Sequence, residues 1–319
     1  GNYFTADDNI SVADAQLYRT GNSNILTVSN GTSVINVTDY NFAAENTRVK
    51  VNDTLVSFSD TLNVDLNGVT YTGTTYHKVF TGSGNISESI LTTDDNIALT
   101  GASLSRTGNT ETLIVSDGTN TINVTGYSFT EENTNVKVNG NLVGYTDTVN
   151  VDLNGVTYEA TDYKEVFAGS GNVSGLSADD KLTFTNTTTY THTNETGLVI
   201  TDNTNTITVT DYAAGTEPFV TVNGNADDIS TKVLYVEGFT NYDASSTNFS
   251  NVDITGTSGN DTYTGSIRND VITGAAGDDT LYGGGGNDTF VYTANGGHDV
   301  IKDANLGDTI QIDYVVTEQ

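Results

Sequence analysis

The sequence predicts an all-β protein: tandem small antiparallel β modules, sandwich- or solenoid-like, followed by a C-terminal parallel β-roll. Three observations carry that expectation. Val, Ile, Thr, Tyr and Phe fall in short alternating runs, and no segment sustains a helical period. A unit of about 87 residues recurs along most of the chain. From about residue 254 onward, glycine and aspartate return every nine residues.

The long repeat is read directly from the residues. NVDLNGVTY at Asn63 to Tyr71 returns at Asn150 to Tyr158, and RTGN at Arg19 returns at Arg106, both at an offset of 87. SNGTSVINVTDYNF (Ser29 to Phe42) answers SDGTNTINVTGYSF (Ser116 to Phe129). A diverged third copy carries TDNTNTITVTDY (Thr201 to Tyr212) and VNGN (Val222 to Asn225), and the acidic openings ADDN, TDDN and ADDK begin at Ala6, Thr93 and Ala178. The expected organisation is therefore three β units, 1–89, 90–174 and 175–253, and a fourth segment, 254–319.

Within each unit, VKVNDTLV and VKVNGNLV place Asn-Asp or Asn-Gly between alternating valines, as tight two-residue hairpin turns require. The sequence leaves sandwich and solenoid open for these units.

The tail reads GTSGNDTYT from Gly256, GSIRNDVIT from Gly265, GAAGDDTLY from Gly274 and GGGGNDTFV from Gly283. The sixth place is Asp261, Asp270, Asp279 and Asp288, and the eighth is Tyr263, Ile272, Leu281 and Phe290. Six residues of turn and three of strand make a half-coil, so two repeats complete one turn of a parallel β-helix with the eighth residues stacked inside. Glycine permits positive φ and close backbone approach in the turns. Carbonyls and Asp carboxylates then converge as hard oxygen donors, a set that suits Ca²⁺. The candidate ligands are Gly256, Ser258, Gly259 and Asp261; Gly265, Ile267 and Asp270; Gly274, Ala276, Gly277 and Asp279; and Gly283, Gly285, Gly286 and Asp288. Alternate repeats lie on the same side, which pairs Asp261 with Asp279 and Asp270 with Asp288.

These four nonapeptides resemble the RTX calcium-binding repeats of secreted bacterial proteins, Gly-Gly-x-Gly-x-Asp-x-apolar-x. Gly283 to Val291 matches fully; Thr257, Ser266 and Ala275 depart at the second place, and Arg268 replaces the fourth glycine, where a distorted ligand turn is expected. GGHDVIKDANLGDTIQI (Gly296 to Ile312) resembles the segment that ends such rolls, which implies that Gly297, Asp299, Asp303 and Asp308 complete terminal sites. Leu104 to Phe129 is similar to a hairpin module that accompanies such arrays in haemolysin-related proteins. The resemblance further implies Ca²⁺ as cofactor, folding triggered by calcium outside the cell, and type I secretion through a C-terminal signal.

Composition narrows the function classes. The net charge of -30, from 41 acidic against 11 basic residues, repels nucleic acid and anionic lipid and favours multivalent cations. Cys is absent, which excludes disulfides, thiolate metal sites and Cys nucleophiles. No apolar run is long enough to insert in a membrane as a helix. No basic-then-apolar segment reads as a secretion signal and no Met begins the chain, so a processed or excerpted chain is expected.

Several lures fail on spacing. Asn150, Asp152, Asn154 and Gly155 imitate an EF-hand, but Thr161 stands where a bidentate Glu is needed, so a hairpin turn is expected, as at Asn63 to Thr74. The pairs Asp7-Asp8, Asp94-Asp95 and Asp179-Asp180 recur at unit starts, which favours turn capping or a structural calcium site over a glycosidase pair. His77, His192 and His298 lack zinc-motif partners. GSGN at Gly82 and Gly169 is a repeated turn, not a phosphate cradle.

The expected function is non-enzymatic: a calcium-dependent extracellular structural protein whose partner is itself, as a homo-oligomer or polymer in a surface layer, fibre or adhesin. A cell-surface glycan is a further candidate partner; nucleic acid and membrane insertion are not expected. Two alternatives stand beside it, the RTX portion of a larger secreted enzyme and a glycan- or ice-binding surface with exposed Thr and Tyr rows.

Overall fold

The computed structural model describes residues 4–5 and 7–313. Residues 1–3, Ala6 and 314–319 lie outside the described residues, and with them the alanine of the first acidic opening and the extreme C-terminus, where an export signal was expected. The described residues hold strands, turns and two single 3₁₀ turns, Glu88–Ile90 and Ile229–Thr231, with no α-helix among them. The chain forms two compact units, residues 1–150 with 161–164, and residues 151–160 with 165–319.

In the first unit, Gln16–Thr20, Ile25–Ser29 and Val34–Thr38 form an antiparallel three-stranded hairpin. Its turn is set by Asn30, whose side-chain oxygen accepts from the N–H groups of Thr32 and Ser33, and by Gly31 at φ +87°. The antiparallel expectation holds for this hairpin but not for what surrounds it. Gln16–Thr20 pairs in parallel with Thr61–Asp65, that strand with His77–Thr81, that with Asn96–Ile97, and that with Lys137–Val138. The unit is thus a mixed sheet built mainly as a solenoid ladder, which resolves the open choice against a sandwich. The physical reason lies in the apolar positions: Leu17, Leu62, Val64, Phe80 and Ile97 stack along one face and are all buried. The second hairpin, Ser103–Thr107, Thr112–Ser116 and Thr121–Thr125, repeats the first. Asn52 and Asp53, and Asn139 and Gly140, all take positive φ, the two-residue turns expected from the sequence.

Each aromatic core repeats as well. The Tyr40 and Tyr76 hydroxyls bond to each other in the interior, and so do those of Tyr127 and Tyr163. Ring edges of Phe42 and Phe58 meet Tyr76, and those of Phe129 and Tyr145 meet Tyr163.

In the second unit, the hairpin of Thr189–Thr193, Gly197–Thr201 and Thr206–Val209 leads straight into the roll. Thr189–Thr193 pairs in parallel with Val233–Glu237, and the ladder continues through Asn251–Thr255, Val271–Thr273, Thr289–Thr293 and Thr309–Asp313. The opposite wall is Asn241–Asp243, Thr262–Thr264, Thr280–Tyr282 and Val300–Ile301, again all parallel.

Candidate metal centre

The roll's register fixes which nonapeptides share a side. Tyr263 lies opposite Leu281 and Ile272 opposite Phe290, each eighteen residues on, so two repeats make one coil. These four side chains are buried as the apolar stack between the walls. After the fourth repeat the period lengthens to twenty, with Leu281 opposite Ile301 and Phe290 opposite Ile310.

The sixth-place aspartates turn inward and are buried: Asp261, Asp270, Asp279 and Asp288. They form two ladders. Asp279 Oδ1 accepts from the Asp261 N–H at 2.8 Å, and Asp288 Oδ1 from the Asp270 N–H at 2.9 Å. Asp270 Oδ1 reaches back in the same manner to the Val252 N–H at 2.7 Å. The expected pairs, Asp261 with Asp279 and Asp270 with Asp288, are brought together. The terminal segment continues the pattern, because Asp299 Oδ1 accepts from the Asp279 N–H and Asp308 Oδ1 from the Asp288 N–H. Asp303 takes a different place, its two oxygens accepting from the N–H groups of Gly283 and Gly284.

Glycine at the first place of each turn is a matter of space. A Cβ on Gly274 would collide with Asp279 Oδ2, and one on Gly283 with Asp288 Oδ2. Gly256 and Gly265 lie against the carbonyls of Gly274 and Gly283, Gly277 against that of Gly259, Gly286 against that of Arg268, and Gly297 against that of Gly277. Successive turns therefore stack carbonyl on glycine, which crowds backbone oxygens around the carboxylates. At the third place, Ser258 and Ile267 are exposed on the rim, while Ala276 and Gly285 are half-buried. At the Arg268 turn the ladder from Asp270 to Asp288 is present like its neighbours.

The four carboxylates are not equivalent. Asp261 is held by its own turn, both oxygens accepting from the Thr257 hydroxyl and Oδ2 from the Thr257 N–H at 2.7 Å. Asp270 is held likewise by the N–H and hydroxyl of Ser266. In the third and fourth repeats the second place is Ala275 at φ +73° and Gly284 at φ +86°. There, Asp279 Oδ2 and Asp288 Oδ2 are buried and have no hydrogen-bond partner. An ionised oxygen in that position is costly unless something positive reaches it. Burial, followed by neighbouring carboxylates, pushes Asp279 and Asp288 up to about 6; for Asp279 the neighbours are Asp299, Asp261 and Asp278, and for Asp288 they are Asp270, Asp308 and Asp303. Burial also raises Asp299 and Asp270.

This donor set fits Ca²⁺. Among the described residues, no three acidic, His or Cys side chains cluster tightly enough to hold a metal by themselves, so carbonyl oxygens must supply much of the shell, as a hard divalent cation accepts. The orphaned oxygens of Asp279 and Asp288 and the glycine-lined carbonyls beside them supply that mixture.

A further set of rungs, from the fifth place, was missed in the sequence. Asn260 Oδ1 accepts from the Asp278 N–H, Asn269 Oδ1 from the Asn287 N–H, and Asp278 Oδ1 from the His298 N–H. The signal was present, since the fifth place is Asn or Asp in all four repeats.

The other candidates resolve into structure. Asp65 and Asp152 accept from the N–H groups of Asn67 and Asn154 in tight turns whose Asn and Gly take positive φ. These are solenoid turns and not the hairpins expected, because Thr61–Asp65 pairs in parallel with His77–Thr81, and Thr157–Glu159 pairs in parallel with Gly171–Ser174. Asp8, Asp95 and Asp180 each accept from the N–H three residues earlier, of Thr5, Thr92 and Ser177, so they cap turns. Asp95 also bonds the Lys78 N–H and pairs with its ammonium at 3.0 Å. His192 lies inside an aromatic box of Tyr212, Phe239 and Tyr242, where burial holds its imidazole down to about 4.

Residues 255–290 match the family model of the RTX calcium-binding nonapeptide repeat, in four copies. No curated protein and no solved structure matches the chain. Residues 255–290 thus carry RTX nonapeptide repeats, and such repeats bind Ca²⁺. No helix among the described residues is long and apolar enough to cross a membrane.

Proposed function

We propose that this chain is a calcium-dependent, non-enzymatic structural protein that is secreted, by the type I route, and assembles with copies of itself at or outside the bacterial cell surface. The observation that carries this reading is the interlocking of repeats: Gly84–Ser87 of one repeat is a sheet partner of Thr121–Thr125 in the next. Such construction yields length and many equivalent faces, with stability approximated as a sum over neighbours. The charge of -30 keeps separate chains apart until a divalent cation screens or bridges them. Calcium at Asp279 and Asp288 would hold the roll, and these residues position the ion by burial and by their shared N–H contacts.

Electron microscopy of the purified chain in millimolar calcium and in chelator tests the assembly reading. Ordered sheets or filaments in calcium alone are expected. Monodisperse particles in both conditions overturn it.

A further inference from the structure

The hairpins of the second and third repeats end on strands that are not sheet edges. Thr121–Thr125 pairs in parallel with Gly84–Ser87 of the preceding repeat, Ile122 opposite Gly84 and Val124 opposite Ile86. Thr206–Val209 pairs in the same register with Gly171–Ser174, Ile207 opposite Gly171 and Val209 opposite Val173. The side-chain contacts repeat too. Ser83 Oγ accepts from the Thr121 N–H at 3.0 Å, and Ser170 Oγ from the Thr206 N–H at 3.0 Å. The partner segment in both cases is Gly-Ser-Gly-Asn-(Ile/Val)-Ser, at 82–87 and 169–174. Its third glycine-lined position admits no side chain, since a Cβ on Gly84 or Gly171 would strike the carbonyl of Val69 or Val156.

The first hairpin has the same terminal strand, Val34–Thr38, aligned residue for residue with Thr121–Thr125. Among the described residues it ends its sheet, with Ile25–Ser29 on one side and no strand on the other. Ile35 is 37% exposed, where Ile122 and Ile207, its equivalents, are 0% exposed. Val34 beside it is 61% exposed. An open, apolar edge strand is a template for another strand. Both Gly-Asn-(Ile/Val)-Ser strands of this chain are already paired, so a second copy has none to offer without giving up its own.

We propose that the Val34–Thr38 edge is a docking site for the Gly-Asn-(Ile/Val)-Ser strand of a further repeat of this same kind, taken in parallel with Ile35 opposite its glycine. The inference rests on strand geometry alone and is independent of calcium and of the assembly reading above.

The test places such a strand in native register by extending the full chain at its amino terminus with one additional copy of residues 1–87, and reads amide hydrogen exchange by mass spectrometry. In the extended protein, exchange at 34–38 of the original sequence slows to the level of 121–125, and the new copy of 34–38 becomes the fast-exchanging edge. Ile35→Lys in the original repeat removes that protection while 121–125 stays protected. Exchange at 34–38 equal in the extended and parent proteins overturns the proposal. So does concentration-dependent protection of 34–38 in the parent alone, which assigns the edge to a second copy. A synthetic peptide of residues 79–91 added to the parent protein gives a reading that does not depend on folding of the added copy: slowed exchange at 34–38 supports the proposal, and none at millimolar peptide contradicts it.

Discussion

The backbone N–H of Asp261 donates to Oδ1 of Asp279 at 2.8 Å, leaving Oδ2 of Asp279 buried without a partner. One carboxylate thus ties two coils together and still presents a bare oxygen, the arrangement a cation completes. Asp288 repeats it beneath Asp270.

Asp279→Asn and Asp288→Asn are expected to weaken calcium binding by roughly tenfold to a hundredfold each, because ligand charge sets affinity at such sites. Asp261→Asn, whose oxygens are occupied by Thr257, is expected to change it by less than about threefold. Isothermal titration calorimetry checks the ranking; equal losses at all three positions contradict the inequality of the sites.

The second-place residues Thr257 and Ser266 account for that inequality through both hydroxyl and N–H, so removing the hydroxyls should create capacity. The double variant Thr257→Gly, Ser266→Gly removes the hydroxyl donors to the carboxylates of Asp261 and Asp270 and leaves the backbone N–H contacts. Native mass spectrometry is expected to count more calcium ions per chain than in the parent.

Acidity acts on the same carboxylates. Asp279 and Asp288 are raised to about 6 from 3.8 by burial. Without calcium, the penalty on the folded roll is fully present above about 6 and falls away as pH drops toward 3.8, so the metal-free roll is more stable at pH 5 than at pH 7. Calcium must displace those protons, so its affinity falls below about pH 6, by about tenfold per pH unit for each proton displaced. His192 opposes the first effect: it is depressed to about 4 from 6.5, and its contribution is present above 6.5 and lost as pH falls toward 4. The stability readout must therefore be local, as hydrogen exchange over residues 262–301 provides, and calcium titrations at pH 5 and 7 give the affinity.

Lys78 and Asp95 form an ion pair with both side chains 1% exposed. Lys78→Met leaves a buried carboxylate without its cation and is expected to cost about 3 kcal/mol of stability in residues 1–150. Denaturant unfolding followed by Tyr fluorescence measures it, and a loss below about 1 kcal/mol contradicts the pairing as a stabilising contact.

Much of this was legible in the residues. The nine-residue period alone places Asp261 over Asp279 and Tyr263 over Leu281, because a period of two half-coils leaves no other register. The Asn-Gly turns were legible for the same local reason: positive φ at Asn139 and Gly140 is written in the residue types. What was not legible depends on distant partners. The parallel ladder from Thr61–Asp65 to His77–Thr81 joins strands whose alternation suits antiparallel pairing equally well, and only packing of Leu62, Val64 and Phe80 decides. The difference between Asp261 and Asp279 turned on the second place of each turn, where the hydroxyl and N–H of Thr257 and Ser266 hold the carboxylates and the residues looked like simple departures from glycine.

The most direct test of the calcium ladder is amide exchange at Asp261 and Asp270, whose N–H groups bond Asp279 and Asp288, measured in the full chain at pH 7 in millimolar calcium and in excess chelator. Strong protection in calcium and its loss in chelator, with residues 121–125 unchanged, is the predicted result. Equal protection at both amides in the two conditions would show that the roll holds its carboxylates together without the ion.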